Sequence, residues 1–153
     1  MAEETALDIH TFRPDRPGIR KVLGDLEAEI MEIIWGRPAG QGVTVRDIFE
    51  ILYERRKTAY TTVMNTMTRL AKKHLLRVEK TQEKDLAYIY YPTSTQHEFI
   101  TYIVGHILDD LLINFSGPTL ETLQTLSNQK TVAQARLLLH EIMQQRREEE
   151  EKQ

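Results

Sequence analysis

Cysteine is absent from all 153 residues. That single absence removes disulfides, thiolate nucleophiles, cysteine-held zinc and iron–sulfur clusters. Long apolar runs are missing too: no stretch approaches the ~20 residues of a membrane span, and Met1–Arg20 has no signal-peptide core. A cytoplasmic protein without membrane insertion is therefore expected. No glycine-rich phosphate loop, nucleophile elbow or H-E-x-x-H occurs, and no acid, base and nucleophile converge. No catalytic residue and no cofactor is assigned. His106, Asp109 and Asp110 stand at i, i+3 and i+4, but one histidine beside two carboxylates reads as a solvated helix face, so no metal site is assigned either.

What is present is close to the globular average: 41% hydrophobic and 28% charged residues, with a net charge of −3. The charge is not evenly spread. Residues 1–42 carry 5 basic and 8 acidic side chains, as do residues 101–153, whereas residues 43–100 carry 10 basic and 7 acidic. Arg55, Arg56, Lys57, Arg69, Lys72, Lys73, Arg77 and Lys80 face only Glu79 between Arg55 and Lys80. A basic block inside an acidic chain is the electrostatic footprint of phosphate recognition, although a solvated surface gives the same count.

Four regions follow one another. Residues 1–19, with Pro14, Pro17 and Gly18, read as a flexible arm. Leu23, Leu26, Ile30, Ile33 and Ile34 mark a first helix, and Thr44 with Asp47 caps a second that buries Val45, Ile48 and Leu52. Thr58 is expected to cap a third helix over about Ala59–Lys73. Its inner side carries Tyr60, Val63, Met64, Met67, Leu70 and Ala71, and its outer side Thr62, Asn65, Arg69, Lys72 and Lys73. Two alternating runs, Leu76–Lys80 and Ala87–Tyr91, then predict a β-hairpin.

Three helices and a hairpin are the order of a winged helix-turn-helix, here over residues 20–95. A helix fits the major groove, where Thr61, Thr62 and Asn65 can reach base edges and Asn65 can pair with adenine. Thr58 and Tyr60, at the same helix end, are expected to contact DNA as well. Arg69, Lys72, Lys73 and hairpin-tip Lys84 would meet phosphate. A bridge from Arg69 to Glu50 or Glu54 is the competing local reading. At the level of the whole module, the competitor is a protein-interaction domain whose basic face docks an acidic partner.

Residues 96–147 read as helices with more aliphatic surface than one stripe can bury. Phe99, Ile103, Ile107 and Leu111, then Leu138 and Ile142 after the Gly117–Pro118 break, suit a self-association face, most simply a two-fold dimer. Residues 148–153 are a charged tail. The fold class expected is mainly α with a small β wing.

The stretches LGDLEAEIMEIIW (Leu23–Trp35) and AYTTVMNTMTRLAKKHLL (Ala59–Leu76) resemble the penicillinase repressor family (BlaI/MecI/CopY). Glu27, Ile30, Met31, Ile34 and Trp35 match its first-helix pattern, and Thr62, Val63, Met67, Arg69, Leu70 and Lys73 its recognition helix. The resemblance implies a homodimeric repressor on a palindromic double-stranded DNA operator. It also implies inactivation by cleavage at an Asn–Phe bond, here Asn114–Phe115, once a membrane-bound sensor metallopeptidase is activated. The missing cysteines exclude the cysteine-rich metal hook of the copper-responsive branch.

Overall fold

The structure, a computed structural model, describes residues 7–82, 87–128 and 130–152. The chain divides into two units, Met1–Thr101 and Tyr102–Gln153.

The first unit holds the core. After a short 3-10 turn at Gly18–Lys21, α1 (Asp25–Trp35), α2 (Val45–Arg56) and α3 (Tyr60–Lys72) lead into β1 (Leu76–Lys80), β2 (Tyr88–Pro92) and the start of α4 (Gln96–Asn114). Three helix starts, of α1, α2 and α4, have a side-chain cause. Glu27 Oε1 accepts the Gly24 N–H at 3.2 Å, half of a capping box. Thr44 and Asp47 form a complete one at 2.9 and 3.1 Å, as do Thr95 and Glu98 at 2.8 and 3.1 Å. Ile30, Met31, Ile48, Leu52, Val63, Met67 and Leu70 interlock with no more than 2% exposure, which is the physical basis of the three-helix packing.

The hairpin is antiparallel in the register Leu76↔Pro92, Val78↔Tyr90 and Lys80↔Tyr88. Val43 adds a third, one-residue strand: its N–H donates to Tyr90 O at 3.0 Å and its carbonyl accepts from Tyr90 N at 2.8 Å. Gly42 makes this approach possible, since a Cβ there would lie 2.2 Å from Ile89 Cγ2. The result is a winged helix-turn-helix.

Several details differ from the sequence expectations. Ala59, not Thr58, is the N-cap of α3, and no side chain caps it. Tyr60 and Met64 are 45% and 40% exposed rather than inward, and Thr66 takes the buried place. Its hydroxyl is satisfied by donating to Thr62 O at 2.7 Å, which makes burial cheap. Residues 7–19, the described part of the arm expected to be flexible, are tied to the unit. Asp8 N–H donates to Lys73 O at 3.1 Å, Lys21 Nζ donates to Pro14 O at 2.7 Å, Arg16 pairs with Asp25, and Ile19 is buried.

Phe99 is the clearest correction. Placed on the dimer face by periodicity, it is 1% exposed inside the first unit, its ring 5.3 Å from that of Trp35. Trp35 Nε1 in turn donates to Ser94 O at 3.0 Å. The first turn of α4 is thus core of the first unit.

The second unit holds the rest of α4, then α5 (Ser116–Asn128) and α6 (Lys130–Glu151). Gly117 and Pro118 do not break the chain as expected. They sit in the first turn of α5, where a missing N–H costs nothing, and the break is Phe115 alone. Among the described residues no buried hydrophobic side chain lies in this unit, while Ile113, Phe115, Leu137, Leu138 and Leu139 are 61–80% exposed. No helix of the described residues is long and apolar enough to cross a membrane.

Candidate nucleic-acid interface

The outer face of α3 is built by its inner face. Once Val63, Thr66, Met67 and Leu70 are buried, 3.6 residues per turn place Thr61, Asn65, Thr68 and Lys72 within about 60° of arc on the opposite side. All four are exposed, and Thr62 and Arg69 flank them, also exposed. Thr68 is the member that sequence reasoning missed. A threonine carries no hydropathy signal, and only its i+3 and i+7 spacing from Asn65 and Thr61 marks it. Its hydroxyl donates to Met64 O at 2.9 Å, and a threonine methyl is the kind of group that can meet a thymine methyl.

The N-terminal end of α3 has no acidic residue in its first turn and no side-chain cap. Its first N–H groups and positive dipole end therefore meet no carboxylate from the helix's own first turn. Thr58 is half-buried beside it, in the three-residue turn that Lys57 opens with φ +48°. Tyr60 stacks edge-on against Phe49, 5.3 Å away, with Tyr53 5.5 Å beyond on the same aromatic ring.

The eight cations of the basic block separate into two kinds. Arg55 and Arg56 both bridge to Glu29 of α1, at 3.7 and 3.2 Å. Lys73 Nζ lies 2.8 Å from Glu27 Oε2, and Arg77 pairs with Glu79 while lying 4.5 Å over the Tyr91 ring. Lys57, Arg69, Lys72 and Lys80 have no carboxylate partner among the described residues. The expected alternative bridge from Arg69 to Glu50 or Glu54 is not formed. Arg69 Nη2 donates instead to Thr66 Oγ1 at 3.3 Å, and Glu50 pairs with Arg46. Cations without a carboxylate partner have only hydration to lose on meeting an anion, which sets these four apart from the paired ones. Lys84 lies outside the described residues.

The remaining predicted sites fall in the second unit. Ile103 and Ile107 are half-buried, and Leu111, Leu138 and Ile142 are 38%, 61% and 45% exposed. Asn114 ends α4, its Nδ2 donating to Asp110 O at 3.0 Å and to Asp110 Oδ1 at 2.9 Å. Phe115 N–H donates to Leu111 O at 2.7 Å, while its side chain is 61% exposed.

Comparison with known proteins bears on the whole arrangement. Residues 23–145 match the family described as Penicillinase repressor. Over 78 residues the chain is 42% identical to the transcriptional regulator BlaI of Mycobacterium tuberculosis, in strains CDC 1551 / Oshkosh and ATCC 25618 / H37Rv alike. That match covers 51% of this chain and 53% of each relative, so the chain spans about half the length of the curated relatives it matches. The solution structure of the DNA binding domain of the repressor BlaI aligns with 48% of this chain and 83% of its own, at 20% identity and a TM-score of 0.41.

Proposed function

The chain belongs to the penicillinase repressor family, and from that membership we propose that it is a sequence-specific DNA-binding repressor acting in the cytoplasm as a homodimer. The observation that carries the proposal is the outer face of α3, polar and hydrogen-bonding at Thr61, Thr62, Asn65 and Thr68, cationic at Arg69 and Lys72, and free of carboxylates. In this reading α3 enters the major groove. Asn65 pairs with adenine, the threonines touch thymine methyls or phosphate, and Arg69 and Lys72, with Lys57 and Lys80, neutralise backbone phosphate.

Dimerisation falls to the second unit. Its helical segments, without a buried hydrophobic side chain among the described residues, need a partner, and a second copy of the same segments supplies a matching apolar surface. Ile103, Ile107, Leu111, Leu138 and Ile142 are the face proposed. Two winged helices on one dimer read a two-fold operator, and holding them together raises affinity through effective concentration.

Induction is assigned to cleavage between Asn114 and Phe115 by a membrane-bound sensor peptidase. That bond lies at the one-residue break between α4 and α5, beside an exposed aromatic side chain. Cutting there parts α4 from α5 and α6 and so lowers operator occupancy by weakening the dimer.

The test is selection from a pool of random duplexes at physiological salt. Enrichment of a two-fold motif is expected. Weak binding that follows ionic strength without any enriched motif would sink the repressor reading. Within the enriched motif, Asn65→Ala should cost about 1–3 kcal/mol at one base position and relax preference there.

A further inference from the structure

Lys73 stands at the C-cap of α3, among the cations expected to meet phosphate, yet the fold has given its charge away. Its Nζ lies 2.8 Å from Glu27 Oε2, with side-chain exposures of 29% for Lys73 and 10% for Glu27. The carboxylate is used on both oxygens, because Oε1 accepts the Gly24 N–H that begins α1. Each charge also suits the helix end that bears it: the anion in the first turn of α1, the cation at the C-cap of α3. The Lys73 carbonyl is held as well, by the Asp8 N–H at 3.1 Å. Lys72, one residue earlier, is exposed and has no carboxylate partner among the described residues.

We propose that Lys73 is a positioning residue that, through Glu27, sets how α3 is presented to DNA, and that phosphate contact at this end of the helix belongs to Lys72. The proposal rests on the repressor reading for its DNA. The mechanism is geometric. Asn65 needs hydrogen-bond alignment to a base edge, and a small rotation of α3 on α1 spoils it, whereas a flexible lysine follows a phosphate through the same rotation.

The measurement is duplex affinity of the full chain and its variants, as a function of salt, on two probes: the duplex enriched from the random pool and a random-sequence duplex. It is made well below the unfolding temperature, with circular dichroism to verify that each variant is folded. Lys73→Met and Glu27→Gln should each lower affinity for the enriched duplex by about tenfold, and the double variant by no more than either alone. Both should leave the random-sequence duplex and the salt slope nearly unchanged. Lys73→Arg, which keeps the charge, should recover most of the loss. Lys72→Met should instead weaken both probes evenly and lower the salt slope by about one.

The proposal is overturned if Lys73→Met lowers the slope as Lys72→Met does while Glu27→Gln binds normally, since Lys73 would then touch phosphate. It is overturned equally if both variants are folded and bind as the parent, since the pair would then be a stability brace alone. Should the parent enrich no motif, the repressor reading falls separately. The slope on the random-sequence duplex and the Glu27–Lys73 coupling in thermal unfolding then decide whether the ammonium is engaged inside the protein. Glu27→Gln is nearly isosteric, so it remains informative if Lys73→Met does not fold.

Discussion

Replacing Phe99 by alanine separates two roles that the sequence alone confuses. Phe99 is 1% exposed and lies 5.3 Å from the Trp35 ring. Its burial contributes about 1.5–3 kcal/mol, and a tilted aromatic pair adds about 0.5–1.5 kcal/mol. A cavity that the neighbours cannot close brings the cost of Phe99→Ala to about 3–5 kcal/mol. The loss belongs to the first unit, so it should not depend on protein concentration. Trp35 is the sole tryptophan of the chain, so its emission reports this contact directly. In urea titrations followed by fluorescence at low and high protein concentration, the midpoint should fall by the same amount at both. The folded-state emission should shift to the red as the Trp35 ring loses its cover. A midpoint shift that vanishes at high concentration, with emission unchanged, would refute the placement and return Phe99 to a subunit interface.

Other variants test other parts. Ile142→Asp should leave the Trp35 signal of the first unit intact and shift sedimentation toward monomer, because a charge would enter the apolar face proposed for the dimer. An unchanged sedimentation coefficient would remove Ile142 from the interface. His74 adopts φ +64°, with its N–H bonded to Ala71 O and the Leu75 N–H to Leu70 O. His74→Gly should therefore stabilise by about 0.5–1 kcal/mol in thermal unfolding, the left-handed penalty exceeding the entropy cost of glycine. Gly42→Ala would press a methyl group to 2.2 Å from Ile89 Cγ2, and should cost about 1–3 kcal/mol while speeding amide exchange at Tyr90.

The limits of sequence reading have physical causes here. Periodicity located Val63, Met67 and Leu70 because it registers apolar residues at helical spacing. It could not register Thr66, whose burial depends on a hydrogen bond to its own helix. The T-x-x-E signal of Thr95 and Glu98 was legible and would have fixed the start of α4. Charge counting found the basic block but not its division, since the partners of Arg55, Arg56 and Lys73 lie in α1, far along the chain. Phe99 was misplaced for a related reason. An aliphatic run long enough to suggest a partner began one turn too early, and only the Trp35 contact shows where the first core ends. The polar outer arc at Asn65 and Lys72 and the first hairpin run, Leu76–Lys80, were the parts most directly readable, because both follow from local periods of 3.6 and 2.

The two faces of α3 share a helix and almost nothing else. Thr61, Asn65, Thr68 and Lys72 carry no part of the core, while Val63, Met67 and Leu70 have 0% exposure and no access to a ligand. The positions proposed to read DNA and those that keep the protein folded are therefore interleaved but separate. Rewriting the outer four leaves the hydrophobic packing untouched, so on the proposed reading target choice can drift through single substitutions without passing through an unfolded intermediate. The scaffold is conservative where it is dry and editable where it is wet.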